Sequence, residues 1–364
     1  MSVIQELSLP LVAWLISALL IGLLSPVARK TGWSDHPDER KQHSGSTPLV
    51  GGVAILLAIL ATLLWAGFPV LHMPLLWIMV PLCLVGLLDD VHPLPAKPRL
   101  LLQASVLVAV CWLADFRITH LGNMFGFGEV VLPDWLGLVV AVFAMLAMVN
   151  AINMIDGVDG MAGGVLIAAL LWLSVLVVYA GGSARVPLVV AGAVAGYLCF
   201  NMRGPLRKKA AVFMGDAGST MLGASVTWML VCHSQPTDAL GYVQAMPLAV
   251  VPWLIVVPLM DSTALIFSRG LQGDSPFKAD RRHLHHLLQQ AGFNDRQVAI
   301  LVVAMAMIGG GIGVGGWLLG VPEPVLSWGF VLLFVWYYYA VHHTPSAAKW
   351  FRRVFLQPGK QIKP

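Results

Sequence analysis

Charge is what this chain has least of. Asp, Glu, Lys and Arg make up 11% of its 364 residues, against roughly 25% in soluble domains. That excludes an ordinary water-soluble globule, and a 58% hydrophobic content says what takes its place. Cysteine is sparse as well. Cys83, Cys111, Cys199 and Cys232 all sit in apolar runs and none forms a CxxC pair, so they read as small buried hydrophobes rather than a disulfide or metal framework. Alternating apolar and polar residues are missing, which excludes a transmembrane β-barrel. No Lys or Arg precedes the first apolar run, Leu7–Ala28, whereas Arg29 and Lys30 follow it. A secretory leader has the reverse order, so this run is expected to remain as a span with its N-terminus outside. No soluble domain and no internal repeat stand out, and residues 1–364 read as one integral-membrane domain.

What is present is a succession of apolar runs, most of them near the length that crosses a bilayer as a helix. The expected fold is all-α and polytopic, with about eleven transmembrane helices. They fall near residues 7–28, 49–67, 74–88, 100–115, 134–149, 161–180, 186–201, 217–233, 244–267, 297–318 and 325–342. One set of connections carries 20 of the 22 Lys and Arg, and the other only Arg117 and Arg185. The positive-inside rule puts the first set in the cytoplasm, leaving the N-terminus periplasmic and the C-terminus cytoplasmic. Asp35, Asp89, Asp90, Asp156, Asp159, Asp216, Asp261 and the segment His283-Leu284-His285-His286 lie toward that same side. Chemistry is therefore expected at the inner membrane face, on a water-soluble substrate from the cytoplasm. On the other side, residues 116–133 have the glycines and β-formers of a small hairpin. Pro247, Pro252 and Pro258 punctuate the ninth run, which predicts a bent helix.

The chain centres on Asn150-Ala151-Ile152-Asn153-Met154-Ile155-Asp156-Gly157-Val158-Asp159-Gly160. Two Asn and two Asp recur at every third residue between long apolar stretches, and intramembrane polar residues are costly enough to imply function. Steps of three drift around an α-helix. A helix ending in a tight glycine-bearing loop would gather all four side chains at its mouth. Helix capping is the plainer use of Asn and Asp, but two residues suffice for it.

Three other stretches could join this loop. Asp89 and Asp90 end the third run, where paired carboxylates face the negative end of the helix dipole. Either they are solvated, or a divalent metal, Lys97 or Arg99 compensates them. Phe213-Met214-Gly215-Asp216-Ala217-Gly218-Ser219-Thr220 opens the eighth run. There Asp216, Ser219 or Thr220 could cap the helix, or the glycines could let a phosphate approach its N-terminus. Arg281 and Arg282 precede His283, His285 and His286. No Cys or acidic residue has zinc-ligand spacing to these histidines, and Arg with His suits an anion, either a phosphate substrate or anionic lipid. Oxygen donors for a hard cation beside a cationic loop for phosphates fit metal-assisted phosphoryl transfer. A cation-coupled transporter is the alternative from another class, and would place its carboxylates at mid-membrane depth.

Six motifs, in order, resemble the polyprenyl-phosphate N-acetylhexosamine-1-phosphate transferases. They are Gly32-Trp33-Ser34-Asp35-His36-Pro37, Thr47-Pro48-Leu49-Val50-Gly51-Gly52, Leu88-Asp89-Asp90, Asn150–Gly160, Phe213–Ser219 and His283–His286. They are most similar to the branch that loads N-acetylglucosamine phosphate onto undecaprenyl phosphate in the bacterial inner membrane, for O-antigen and related glycans. The resemblance implies attack of the lipid phosphate on the β-phosphorus of UDP-GlcNAc, release of UMP, and a need for Mg²⁺ or Mn²⁺. It implies Asp216 as metal ligand with Asn153 as a second, and Asp89, assisted by Asp90, as activator of the lipid phosphate. Asp156 and Asp159 fall near the nucleotide, and Phe213 matches an aromatic that stacks on uracil. The loop with His283, His285 and His286 closes over pyrophosphate and sugar. Asn150, Asp35, Lys97, Arg99, Arg281 and Arg282 complete the expected substrate contacts. The peptidoglycan relatives have three adjacent His where this chain has His283-Leu284-His285-His286, and another pattern at Thr47–Val50. Both departures favour an N-acetylhexosamine donor over a muramyl-pentapeptide one. The expected partners are the two substrates and the bilayer, with no nucleic acid, and a homodimer is left open.

Overall fold

The computed structural model describes residues 3–35, 46–68, 73–204, 207, 209–236, 242–273 and 282–343. They form thirteen α-helices with two minute β-hairpins. Helices α1 (Val3–Thr31), α2 (Gly51–Trp65), α3 (Pro74–Val91), α4 (Ala96–Leu113) and α5 (Asp134–Ile155) come first. Helices α6 (Met161–Tyr179), α7 (Arg185–Asn201) and α8 (Gly215–Cys232) follow. Then come α9 (Val251–Leu254), α10 (Val256–Leu271), α11 (Leu284–Gln290), α12 (Asp295–Leu318) and α13 (Glu323–Tyr338).

Each of the eleven predicted runs coincides with helix. By length and apolarity, seven helices can cross a membrane, and α9 and α10 make an eighth if they are one broken span. Helices α2 and α7 are apolar but shorter. The ninth run is broken as its prolines require. A 3₁₀ turn at Leu248–Val250 leads into α9, and α9 meets α10 at Ile255 with an 86° bend.

Helix α8 is the axis of the bundle. Every residue from Ala217 to Cys232 is buried, with α2, α3, α5 and α6 packed around it. The periphery is the reverse of a soluble protein. Leu11, Leu15, Leu19 and Leu23 make an exposed stripe on α1, and Val325, Trp328, Leu332 and Trp336 line an outer face of α13. Apolar side chains on both the inside and the outside are what a hydrocarbon solvent permits.

The two hairpins mark the two ends of α8. Strand β1 (Ser34–Asp35) pairs antiparallel with β2 (Thr47–Pro48), next to the α8 N-terminus. Strand β3 (His120–Gly122) pairs with β4 (Val130–Val131), the hairpin expected within residues 116–133. It is fastened to the chain just beyond the α8 C-terminus. The Gln235 side chain accepts from the Thr119 and His120 amides (3.0 and 2.9 Å) and donates to the His120 carbonyl (3.0 Å).

Candidate active site

Two glycines bring the carboxylates together. Gly52 lies so close to the turn before α8 that a Cβ on it would stand 2.3 Å from the Gly218 nitrogen. A Cβ on Gly86 would stand 2.3 Å from the Asp216 carbonyl oxygen. Only glycine allows this approach, and main-chain hydrogen bonds fix it. The Gly51 amide donates to the Phe213 carbonyl (3.0 Å), Gly52 to Met214 (2.9 Å), and Phe213 to Pro48 (2.9 Å). The motif Thr47–Gly52 is thus a backbone clamp on the segment that carries Asp216.

Asp216 is not the cap of its own helix. The N-cap is Met214, with no side-chain cap, and Ser219 donates within the helix to the Gly215 carbonyl (3.1 Å). The capping carboxylate comes from α3. Asp90 accepts the Asp216 amide at 2.7 Å and the Ala217 amide at 3.1 Å. Both of its oxygens are therefore spent on two of the orphan donors of an α-helix start. Its neighbour Asp89 is nearly buried. It accepts from the Leu94 amide (2.7 Å) and forms a 2.8 Å ion pair with Arg99. Arg99, not Lys97, is the cation beside this pair. Its Nη1 is also 3.9 Å from Asp216, while Lys97 is exposed at the start of α4. Asp89 and Asp216 are thus neighbours, with Arg99 reaching both.

From α5, Asn153 donates its amide to Asp216 and to Ser219 Oγ (3.2 Å). The helix ends at Ile155, and Asp156 occupies its C-cap position. Burial, then the neighbouring carboxylates of Asp216, Asp159 and Asp90, push the Asp156 carboxyl well above the usual carboxylate range. Gly160, with φ +84°, turns the chain into α6. Its amide is bonded to Asn201 Oδ1 (2.6 Å), and Asn201 donates to the Val212 carbonyl (2.9 Å). Asp159 is committed elsewhere: it takes Arg203 Nε (2.5 Å) and the Ala210 amide (3.1 Å). Arg203 continues to Asp295 at the start of α12 (2.7 Å). Asn150, one turn deeper in α5, bonds the Leu146 carbonyl of its own helix (2.8 Å). The four polar side chains of this stretch thus part company. Asn153 joins Asp216, Asp156 stands near it, Asp159 ties loops together, and Asn150 back-bonds.

The histidine segment reaches the same place. His285 Nε2 lies against Gly157, 3.3 Å from where a Cβ would be. Its ring is 4.1 Å from that of His286 and 5.4 Å from that of His283. His285 is 3% exposed, and its Nδ1 has no hydrogen-bond partner among the described residues. Burial, with help from His286, holds its pKa down to about 3, so it is neutral at pH 7. His286 turns its Nδ1 to Gln289 (3.2 Å). Arg282 is braced on α10, with Nη1 3.0 Å from Ser268 Oγ. Arg281 lies outside the described residues. Phe213 is half-buried beside the clamp, and Asp35 sits in β1 opposite Thr47.

Four residues beyond the six motifs also shape the site. Asn201 and Arg203 fix its loops, and Asp261 and Tyr337 hold the histidines. Asp261 carried a signal, because it is ionisable and lies inside a long apolar run. Asn201 and Tyr337 carried none, since each acts only through tertiary contacts.

Among the described residues, no three His, Cys, Asp or Glu side chains converge to enclose a metal. Asp216 and Asn153 instead make a partial donor set on one side. Rotating the Asn153 amide presents its oxygen in place of its nitrogen. Mg²⁺ is typically bound this way, by one or two carboxylates with substrate phosphates and water completing the shell. The donor chemistry fits a hard divalent ion. The cluster sits at helix ends, on α3, α5 and α8, rather than along a mid-helix face where a transporter would need it.

Oxygen donors at helix ends beside a histidine segment, on a scaffold of membrane-length apolar helices, suit the chemistry of phosphoryl transfer. Residues 72–234 match the model of glycosyl transferase family 4. The chain is 34% identical to the undecaprenyl-phosphate α-N-acetylglucosaminyl 1-phosphate transferase of Salmonella typhi, with 100% of this chain and 98% of that protein aligned. The protein of that name from Haemophilus influenzae (strain ATCC 51907 / DSM 11121 / KW20 / Rd) is 34% identical over 97% of this chain and 98% of its own. The one from Escherichia coli (strain K12) is 34% identical over 94% and 92%. The chain belongs to glycosyl transferase family 4, and it is an enzyme of the glycosyl-1-phosphate transferase type.

Proposed function

We propose that this enzyme transfers N-acetylglucosamine 1-phosphate from UDP-GlcNAc to undecaprenyl phosphate, releasing UMP. The observation that carries the reading is the convergence of Asp89, Arg99, Asn153 and Asp216 at the helix ends beside the histidine segment. An oxygen of the lipid phosphate attacks the β-phosphorus of the sugar nucleotide, and the bond from that phosphorus to the bridging oxygen of UMP breaks. Two anions must meet for this. At 4–5 Å, and with an effective dielectric near 20, each pair of unit charges repels by about 4 kcal/mol. Arg99 separately offsets the repulsion between the carboxylates of Asp89 and Asp216. Asp216 and Asn153 would hold Mg²⁺ or Mn²⁺, which when bound neutralises phosphate charge and aligns the two substrates. Asp89 faces the lipid phosphate, and the 2.8 Å contact with Arg99 orients its carboxylate. Asp90 positions Asp216 through the α8 amides. Asp156 and Phe213 border the nucleotide, and His285 and His286 border the pyrophosphate. Holding both substrates at one membrane face supplies proximity.

The asymmetric Lys and Arg distribution supports eleven crossings, with the catalytic helix ends on the cytoplasmic side of the bacterial inner membrane. One experiment tests reaction and orientation together. Sealed vesicles of either orientation, containing undecaprenyl phosphate in the membrane, receive radiolabelled UDP-GlcNAc and divalent ion from outside. Label is expected in lipid with inside-out vesicles only. Transfer in both orientations would sink the orientation. Label from UDP-GalNAc or a UDP-muramyl-pentapeptide alone would replace the donor, and none from any donor would remove the function.

A further inference from the structure

A buried carboxylate outside the metal-binding cluster organises the histidine segment. Asp261 stands six residues into α10 just past the 86° break and is 1% exposed. It accepts three hydrogen bonds. His283 Nδ1 reaches Oδ2 at 2.8 Å, while the Leu284 amide and the Tyr337 hydroxyl reach Oδ1 at 2.9 and 2.8 Å. Tyr337 lies at the end of α13, so one side chain joins α10, α13 and the N-cap of α11. His283 is itself 7% exposed. The other titratable groups described against its ring are His285 and His286.

We propose that Asp261 is the positioning residue of His283. An ionised carboxylate only accepts, so His283 Nδ1 must carry the proton that bonds it. Nε2 is then the ring nitrogen left to meet a substrate, and the ring cannot flip without breaking the bond. Asp261 thus sets which nitrogen of the segment is offered to the sugar nucleotide and at what angle. The Leu284 bond fixes the start of α11, which carries His285 and His286 toward Gly157. Tyr337 holds the carboxylate without touching the imidazole. This inference rests on the transferase reading for its effect on turnover, but not for the tautomer it assigns.

The test uses the full-length enzyme in lipid nanodiscs with ¹⁵N-histidine, the His283 signal being assigned by its loss in His283→Gln. The wild type is expected to show a protonated Nδ1 at His283. Asp261→Asn presents an amide N–H to Nδ1, which forces the Nε2–H tautomer. Its kcat is expected to fall about 100-fold, the scale of a misplaced reacting group, while the KM for UDP-GlcNAc moves far less. Asp261→Glu is expected to keep the Nδ1–H tautomer and recover part of the turnover. Tyr337→Phe is expected to keep the tautomer. An unprotonated Nδ1 in the wild type overturns the proposal whether or not any variant folds. An unchanged tautomer in Asp261→Asn, or wild-type kcat in that variant, overturns it equally. If the wild type transfers nothing from UDP-GlcNAc, the functional reading fails while the tautomer still decides this inference.

Discussion

The two ends of α8 carry similar side chains with opposite fates. Beyond its C-terminus, Gln235 matches the main chain of β3 group for group, and Glu323 accepts the Asn123 amide at 3.0 Å. Roughly 27 Å away, at 1.5 Å per residue, Asp90, Asp159 and Asn201 do the same work for other loops. Asp216 and Asp156 do not. Asp216 neighbours Asp156 on one side and Asp89 on the other, with Arg99 reaching both Asp89 and Asp216. Polar groups that find main-chain partners build structure. Carboxylates set against carboxylates are held there at a cost, and that cost marks the reactive end.

Breaking the reactive end should have the largest effect. Asp216→Asn removes a charge that no neighbour replaces, and transfer is expected to drop by at least ~10²–10³-fold, the scale of losing a key electrostatic group. The protein should remain folded by size-exclusion and thermal criteria. Chelation should silence the wild type, with Mg²⁺ or Mn²⁺ restoring it. Near-normal turnover in Asp216→Asn, or full activity in chelator, would erase the proposed metal site. Gln235→Ala tests the other end. It strips two half-buried amides and a carbonyl of their partner, so stability in detergent should fall by about 1–3 kcal/mol with kcat of the folded enzyme unchanged. A kcat loss matching that of Asp216→Asn would abolish the contrast.

The smallest effect concerns pH. His285 has a folded pKa of about 3, and the unfolded chain has one near 6.5. Between those values the unfolded state binds a proton that the folded state refuses. Stability should therefore be flat above pH 6.5 and fall by about 1.4 kcal/mol per pH unit below it. His285→Gln should flatten this contribution in a denaturation series from pH 7 to 5. An unchanged slope would show that His285 protonates freely in the fold.

Much of this was legible in the sequence. Continuous apolar runs located the helices because hydrocarbon burial is a one-dimensional signal. The prolines of the ninth run announced its bend, and the expected hairpin formed. Asn153, Asp216, Asp89 and Arg99 came together as their residue types suggested. What the sequence hid was the division of labour. Nothing in Asp89-Asp90 says that one residue turns to Arg99 and the next caps a helix more than a hundred residues on. Spacing alone also grouped Asn150 with Asn153, although a helical turn separates their surroundings. Asp261 was visible as a charge in an apolar run, but its partner Tyr337 lies 76 residues away, and such pairings exist only in three dimensions.

The clamp of Gly51 and Gly52 on Phe213 and Met214 is written in main-chain atoms. Amides and carbonyls are the same in every amino acid, so a seam made of them is blind to most sequence drift. Proteins that differ from this one at about two positions in three can hold an aspartate at the same point in space, provided the glycines that permit contact stay. A site secured this way leaves the surrounding side chains free to explore other sugars and other lipids without disturbing where phosphate meets phosphate.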